Sequence, residues 1–189
     1  MRFASIHDEC SVLPWRVKHR AMLGGGALRS YFDGTMVKDY DLFFESLADW
    51  QVCVTQLDAD PAFAIQASAA DTLYPTYVHI YTGRLFNLIG FRFYPNPQEL
   101  AQSFDFRCTA MALRLRDPAL TFYGVPGASE DCAAKALNFL NLQPTNRVAR
   151  RLRRYVDELG YTPTDDFVSK VAHCAHVTNP GCSYNGDIA

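Results

Sequence analysis

Apolar residues in the first two thirds of the chain fall in short runs broken by glycine, proline and acidic positions, whereas the last third carries them at helical spacing. The run AMLGGGAL at 21–28 leads into three consecutive glycines, which permit torsions and close approaches that any Cβ blocks. ALRSYFDG then predicts a short helix closed by Gly34, and TMVKDYDLFFES predicts a strand entering a turn. Alternation puts Val37, Asp39 and Asp41 on one strand face and Lys38, Tyr40 and Leu42 on the other. SLADWQVCVTQL fits a helix with Ser46 as its N-cap. Residues 58–76, punctuated by Pro61 and Pro75, predict a short strand around FAIQAS and a loop. YVHIYTGRLFNLIGFRFY reads as a hairpin turning at Thr82 and Gly83, its Phe91, Phe93 and Tyr94 read as core or edge residues rather than a base-stacking platform. PNPQELAQSF predicts a short helix before FDFRCTAMALRL. Three more helices are expected in SEDCAAKALNFL, TNRVARRLRRYVDELG and TDDFVSKVAHCAH, the first two opened by Ser129 and by Thr145 or Asn146. The order is an α+β pattern, strand-rich over residues 1–125 and helical over 126–189.

Composition narrows the class. With 49% hydrophobic, 13% aromatic and 20% charged residues, 189 residues suffice for a buried core and exclude a disordered chain. No apolar run approaches the ~20 residues that cross a bilayer, so no membrane partner is expected. MRFASIHDECSVLPW lacks the apolar segment of a secretory signal, so the expected location is cytoplasmic. Six cysteines at 10, 53, 108, 132, 174 and 182 form no C-x-x-C pair, which suits a reducing compartment. His173, Cys174, His176 and Cys182 do not match a zinc-finger spacing and read as ordinary helix-end residues. The net charge of -2 excludes binding nucleic acid by bulk positive charge. Residues 101–154 nevertheless carry 9 basic and 4 acidic groups, a local +5. Fourteen of the 18 basic residues are arginine, whose planar fork suits phosphate, although arginines also pair with surface carboxylates.

Two groupings carry candidate chemistry. Asp39 and Asp41, at i and i+2 on a strand, project side by side, and a hard divalent cation such as Mg²⁺ neutralises such a pair with phosphates as co-ligands. The alternative is a polar strand face. Arg147, Arg150, Arg151 and Arg154 fall at i, i+3, i+4 and i+7 of a helix and line one face, repelling one another unless an anion or carboxylates sit opposite. A triphosphate, a nucleobase edge or an RNA backbone would serve, as would Asp157 and Glu158 one turn on. Arg153 points elsewhere and reads as a surface residue.

LGGGALRSYFDGTMVKDYDLFF resembles the pattern GGxVRDxLLG…DxD of nucleotidyltransferases related to bacterial CCA-adding enzymes and poly(A) polymerases, in the DNA polymerase β superfamily. Gly24 or Gly25, Arg29, Gly34, Asp39 and Asp41 match in order, with Ser30 where many members have aspartate. SFDFRCTAMAL resembles RRDFTINAMA through Asp105, Phe106, Thr109 or a neighbour, Ala110, Met111 and Ala112, with Gln102, Ser103 and Phe104 in place of the arginines. LTFYGVPGASEDCAAKAL resembles DPFGGLEDLKAKVL through Gly124, Glu130, Asp131 and Lys135. TNRVARRLRRYVDELGY resembles RLLRAVRFAARLGF through Arg147, Arg150, Arg151, Arg154, Leu159, Gly160 and Tyr161. Four ordered motifs thus span roughly residues 22–161.

The resemblance implies a nucleotidyltransferase-like mixed β-sheet with flanking helices over residues 1–125, and a short helical neck over 126–189, without the body and tail domains that hold tRNA. It implies Mg²⁺-dependent transfer of an NMP from an NTP to an acceptor, an RNA 3′ end first. Asp39 and Asp41 would hold the metal, the turn at Gly24, Gly25 and Gly26 would meet the β/γ-phosphates, and Arg29 would reinforce that pocket. Arg107, Arg147, Arg150, Arg151 and Arg154 are the other nucleotide-binding candidates. Asp105 is either a third metal carboxylate or a residue that orients Arg107 or the sugar. The remaining readings are transfer to a protein or small molecule, and a catalytically silent NTP-binding module.

Overall fold

A computed structural model describes residues 4–66, 73–117, 121–141 and 151–165, with 167 and 169. The chain opens with helices α1 (Ala4–Glu9) and α2 (Trp15–Arg20), then strand β1 (Met22–Gly24), α3 (Gly26–Asp33), β2 (Tyr40–Phe43) and α4 (Leu47–Asp58). It continues through β3 (Phe63–Ile65), β4 (Thr76–His79), β5 (Leu85–Leu88), α5 (Pro97–Gln102), β6 (Met111–Arg114) and β7 (Phe122–Gly124). The C-terminal part holds α6 (Ala128–Ala134), β8 (Ala136–Leu137), a π-helical turn (Arg154–Glu158) and β9 (Thr162–Pro163). Strands β1 to β7 form one mixed sheet in the order β3-β4-β5-β2-β1-β6-β7, and β8 pairs with β9. Only β2 and β5 are parallel within the large sheet, so the α+β architecture expected above is the one observed.

Local chemistry sets the element ends. Gly34, at φ 72°, supplies the left-handed residue that closes α3. Ser46 Oγ accepts the Asp49 N–H at 3.1 Å to cap α4, and Asn96 Oδ1 accepts the Glu99 N–H at 2.9 Å to cap α5. Two expectations are corrected in extent. The strand begins at Tyr40 rather than in Thr35–Asp39, because Asp33 takes both the Thr35 N–H and its hydroxyl and holds that segment as a loop. The helix predicted over 129–140 stops at Ala134. Lys135 turns left-handed at φ 50° while its Nζ donates to the Leu159 carbonyl at 2.9 Å, and the following residues pair with β9.

The two faces of the sheet bury different clusters. Leu23, Tyr40, Leu42, Phe86, Leu88, Met111 and Leu113 pack into the larger one with Leu28 of α3 and Cys53 and Leu57 of α4. Met22, Phe43 and Ala112 point the other way and meet Ile89, Tyr94, and Leu100 and Ala101 of α5. The larger cluster also takes in Leu137, Phe139, Leu152, Tyr155, Tyr161 and Phe167, so the C-terminal region shares one core with the sheet.

Two buried carboxylates fasten that junction. Asp33 pairs with Arg29 at 3.5 Å and accepts hydrogen bonds from Thr35 and from the Tyr161 hydroxyl at 2.8 Å. Asp131 accepts Arg107 through both Nε (2.7 Å) and Nη2 (2.6 Å), and Asn138 Nδ2 at 3.0 Å. Removing one partner of a fully buried ion pair leaves the other charge uncompensated. Asp33→Ala should therefore lower unfolding free energy by about 3–5 kcal/mol, and Tyr161→Phe, which loses a single hydrogen bond, by about 1 kcal/mol. Urea denaturation of the two variants checks both the size and the order.

Candidate nucleotide and metal site

The carboxylate pair sits at the middle of the sheet. Asp39 ends the loop before β2 and Asp41 lies in it, with the Tyr40 and Leu42 side chains buried on the opposite face. In register, Asp41 stands between Gly24 of β1 and Asn87 of β5, and the row continues to Ala112 of β6 and Thr76 of β4. Asn87 Nδ2 donates to Asp41 Oδ1 at 2.9 Å and to Asp39 Oδ2 at 3.4 Å, while the Thr76 hydroxyl donates to Asn87 Oδ1 at 2.6 Å.

Burial and the like charge of Asp39 push the Asp41 carboxyl up to about 6; the Asn87 hydrogen bond and the positive charges of Arg151 and Arg154 act against that rise. The donor set suits a hard cation. It offers carboxylate oxygens only, with one oxygen of each group outside the Asn87 bridge, and Mg²⁺ is commonly held by one or two carboxylates with phosphates and water completing its shell. Among the described residues no three His, Cys, Asp or Glu side chains cluster as a metal site. Cys10, Cys53, Cys108 and Cys132 are free and buried, and burial raises all four thiols, Cys10, Cys53 and Cys132 to about 12. His173, Cys174, His176 and Cys182 lie outside the described residues.

The candidate cations divide into two sets. Arg29 is buried. Its Nη2 donates to Ser30 Oγ at 2.9 Å, its guanidinium pairs with Asp33, and it lies 5.4 Å from the centre of the Tyr155 ring. Arg107 is gripped by Asp131, and Gly127 packs against its guanidinium. Both arginines bind the C-terminal region to the sheet. Arg151 and Arg154 keep 39% and 42% of their side chains exposed, close to the 37% of Arg107, but their acid partners are more exposed than Asp131 and their charges act on Asp41. Arg151 Nη1 donates to Asp105 Oδ2, and Arg154 pairs with Glu158 at 4.0 Å, which also meets Lys38 at 3.6 Å. Asp105 thus engages an arginine of the neck. Arg147 and Arg150 lie outside the described residues.

The glycines serve a close approach. Gly25, at φ 75°, starts α3, and its N–H donates to the Met111 carbonyl at 3.1 Å. A Cβ at Gly24 or Gly25 would meet the Phe104 ring at 3.0 or 2.9 Å, whereas one at Gly26 would meet nothing within 4 Å. Phe104 therefore roofs the first two glycines, and open space is left beside Gly26. A cavity of about 550 Å³ opens nearby, lined by Ser30, Thr35, Lys38, Tyr40, Thr82 and Arg84 among others, but by neither Asp39 nor Asp41. Of the aromatics in and after the hairpin, Tyr94 is buried and Phe93 partly so, while Phe91 is 50% exposed and meets Tyr74 edge-on at 6.2 Å.

Sequence reasoning missed Asn87 and Asp33. Asn87 is a lone polar residue within LFNLIG, and its opposition to Asp41 follows from strand pairing. Asp33 takes up Arg29 one helical turn on from Ser30, an i,i+4 spacing that was available in the sequence.

Known structures share this arrangement of elements. The chain superposes on a tRNA-processing enzyme in an apo form with a TM-score of 0.68 at 18% identity, covering 92% of this chain and 47% of that one. A tRNA nucleotidyltransferase complexed with a primer tRNA and an incoming ATP analog gives 0.62 at 18% identity, over 84% and 47% of the two chains. The Bacillus stearothermophilus CCA-adding enzyme in complex with CTP gives 0.56 at 20% identity, over 83% and 40%. The chain thus spans less than half the length of each of these structures. Among curated proteins none matches. No helix among the described residues is long and apolar enough to cross a membrane. The model of the Gabija anti-defense 2 family matches residues 2–135, and the chain, built on the nucleotidyltransferase fold of the CCA-adding enzymes, belongs to that family.

Proposed function

We propose that the chain is a Mg²⁺-dependent nucleotidyltransferase that moves an NMP from an NTP onto an acceptor, with an RNA 3′ end as the first candidate. The observation that carries this reading is the Asp39–Asp41 pair at the start of the central strand, Asp39 just before it and Asp41 in it, bridged by Asn87 and facing the positive field of Arg151 and Arg154. Support comes from similar structures described with CTP, an ATP analog and tRNA. Mg²⁺ held by Asp39 and Asp41 would neutralise the phosphates and acidify the acceptor hydroxyl. Arg151 and Arg154 draw the polyanion toward the pair and offset charge that builds on the leaving pyrophosphate. Gly26, with open space beside it, places a helix N-terminus next to Asp41, through its strand neighbour Gly24, where it favours the triphosphate. Asp105 positions Arg151 before the nucleotide arrives and acts through it.

A second acceptor class has its own support. The family name describes its members as directed against the Gabija defence, and nucleotide transfer onto a protein or small-molecule component of that defence fits it. Incubation of the purified protein with each labelled NTP, Mg²⁺, total RNA and a Gabija-containing lysate separates the two. Label should transfer with wild type, and removing the charged pair in Asp39→Ala/Asp41→Ala should reduce it about 100-fold or more. Label on protein rather than RNA moves the acceptor to the second class. Binding of NTP without transfer to any acceptor overturns the enzymatic reading in favour of a silent module.

The pH dependence follows from Asp41. Its folded-state value of about 6 lies above the ordinary 3.8, so a proton competes with the cation as pH falls through about 6. Transfer should rise with pH through that region and level off above it. Arg154→Ala, which removes a charge that lowers the Asp41 value, should move the midpoint upward. Linkage has the same origin. The folded metal-free protein binds the extra proton between about 4 and 6, so this group stabilises the fold at low pH and that contribution is lost as pH rises through about 6. Thermal melts across that range, compared with Asp41→Asn, check the sign.

A further inference from the structure

We propose that Asn87, braced by Thr76, is a positioning residue that holds the two carboxylates as one preformed cation seat; the inference rests on the metal reading above. The amide is oriented by its neighbours rather than by chance. The two carboxylates only accept, and this fixes the NH₂ end of Asn87 toward β2, where its two hydrogens go to Asp41 Oδ1 at 2.9 Å and Asp39 Oδ2 at 3.4 Å. The opposite end is then Oδ1, and the Thr76 hydroxyl donates to it at 2.6 Å and braces it. One oxygen of each carboxylate is thereby tied down. Among the described residues, no other hydrogen bond engages the second oxygen of either group, so the bridge leaves one acceptor from each free to face a cation.

The sheet makes the bridge unavoidable. Asn87 is the register partner of Asp41 across the parallel β2–β5 pair and of Thr76 across the antiparallel β4–β5 pair, so the relay Thr76, Asn87, Asp41 runs straight across three strands. Asp39 and Asp41 repel each other, and a neutral donor between them relieves that repulsion without occupying the site with a charge. A carboxylate at position 87 would add a third negative group, and a lysine would compete with the cation. An amide is the side chain that aligns both acids and still leaves the seat dependent on an incoming metal–nucleotide complex.

The test reads metal binding directly. Mn²⁺ is titrated by electron paramagnetic resonance into the full chain with a non-hydrolysable NTP analogue present, and NTP-analogue affinity and thermal midpoint are recorded alongside. Asn87→Ala should weaken Mn²⁺ binding about ten-fold, the usual loss when a group orienting a metal ligand is removed, with the thermal midpoint little changed. Thr76→Val, which keeps the shape and loses the hydroxyl, should weaken it in the same direction, and Thr76→Ser should restore wild-type affinity. Asn87→Asp should bind Mn²⁺ tighter than wild type without nucleotide. Wild-type Mn²⁺ affinity in both Asn87→Ala and Thr76→Val, with affinity lost in Asp39→Asn, overturns this proposal and leaves the functional reading standing. A wild-type protein that takes up no Mn²⁺ with the analogue present overturns both.

Discussion

The structure turns on a repulsion. Two carboxylates two residues apart, one just before the central strand and one in it, cannot both be comfortably ionised without compensation, and burial first, with the like charge of Asp39 after it, pushes Asp41 up to about 6. Everything around the pair moderates it. β5 supplies an amide from one side, and the C-terminal region supplies the charges of Arg151 and Arg154. On the remaining side stands Gly24, which has no side chain to crowd the row and accepts the ring of Phe104 instead. A site under such tension is prepared for a divalent cation, because the cation relieves what the protein alone only offsets.

That compensation requires the arginine-bearing segment to be held firmly, and the firmness comes from buried carboxylates. Asp33 and Asp131 each collect an arginine and further donors at the boundary between the sheet and the C-terminal elements. Tyr155 and Tyr161 complete the junction inside the main core, with Arg29 lying over the Tyr155 ring. The sheet and the C-terminal elements therefore do not form two separately packed bodies. A single apolar cluster runs through both, so the distance between Arg151 and the acid pair is fixed by core packing, which is stiffer than any surface ion pair.

The parts of this arrangement carried by local pattern were legible in the sequence. Alternation separated Asp41 from Tyr40 and Leu42, and glycine and capping residues marked the ends of α3 and the start of α4. The motif order pointed to the fold. What was not legible depends on strand pairing and on competition between partners. Asn87 acquires meaning only from its register with Asp41. Phe104, noted only as a missing arginine, proves to cover Gly24 and Gly25, and the Gly25 N–H is taken by the Met111 carbonyl. Arg29 and Arg107 matched a nucleotide-binding pattern by type; the i,i+4 spacing of Arg29 and Asp33 was there to be read, but only the fold brings Asp131 to Arg107.

The division of the arginines has a consequence for how a polyanion enters. The basic block of residues 101–154 suggested a patch of free positive charge, but Arg107 is closed off by a two-pronged carboxylate grip. Arg151 and Arg154 are also paired, but with Asp105 and Glu158, acids more exposed than Asp131, so water screens the attraction and weakens it. Such pairs exchange partners at little cost. A triphosphate that brings its own cation to Asp39 and Asp41 replaces a screened carboxylate contact with one to phosphate in a site that is losing water, and the same arginines then gain strength as the dielectric falls. Arg29 and Arg107, whose carboxylate partners Asp33 and Asp131 are buried, hold the frame, Arg151 and Arg154, paired with the more exposed Asp105 and Glu158, remain free to change partner, and it is burial of the carboxylate rather than sequence position that separates the two roles.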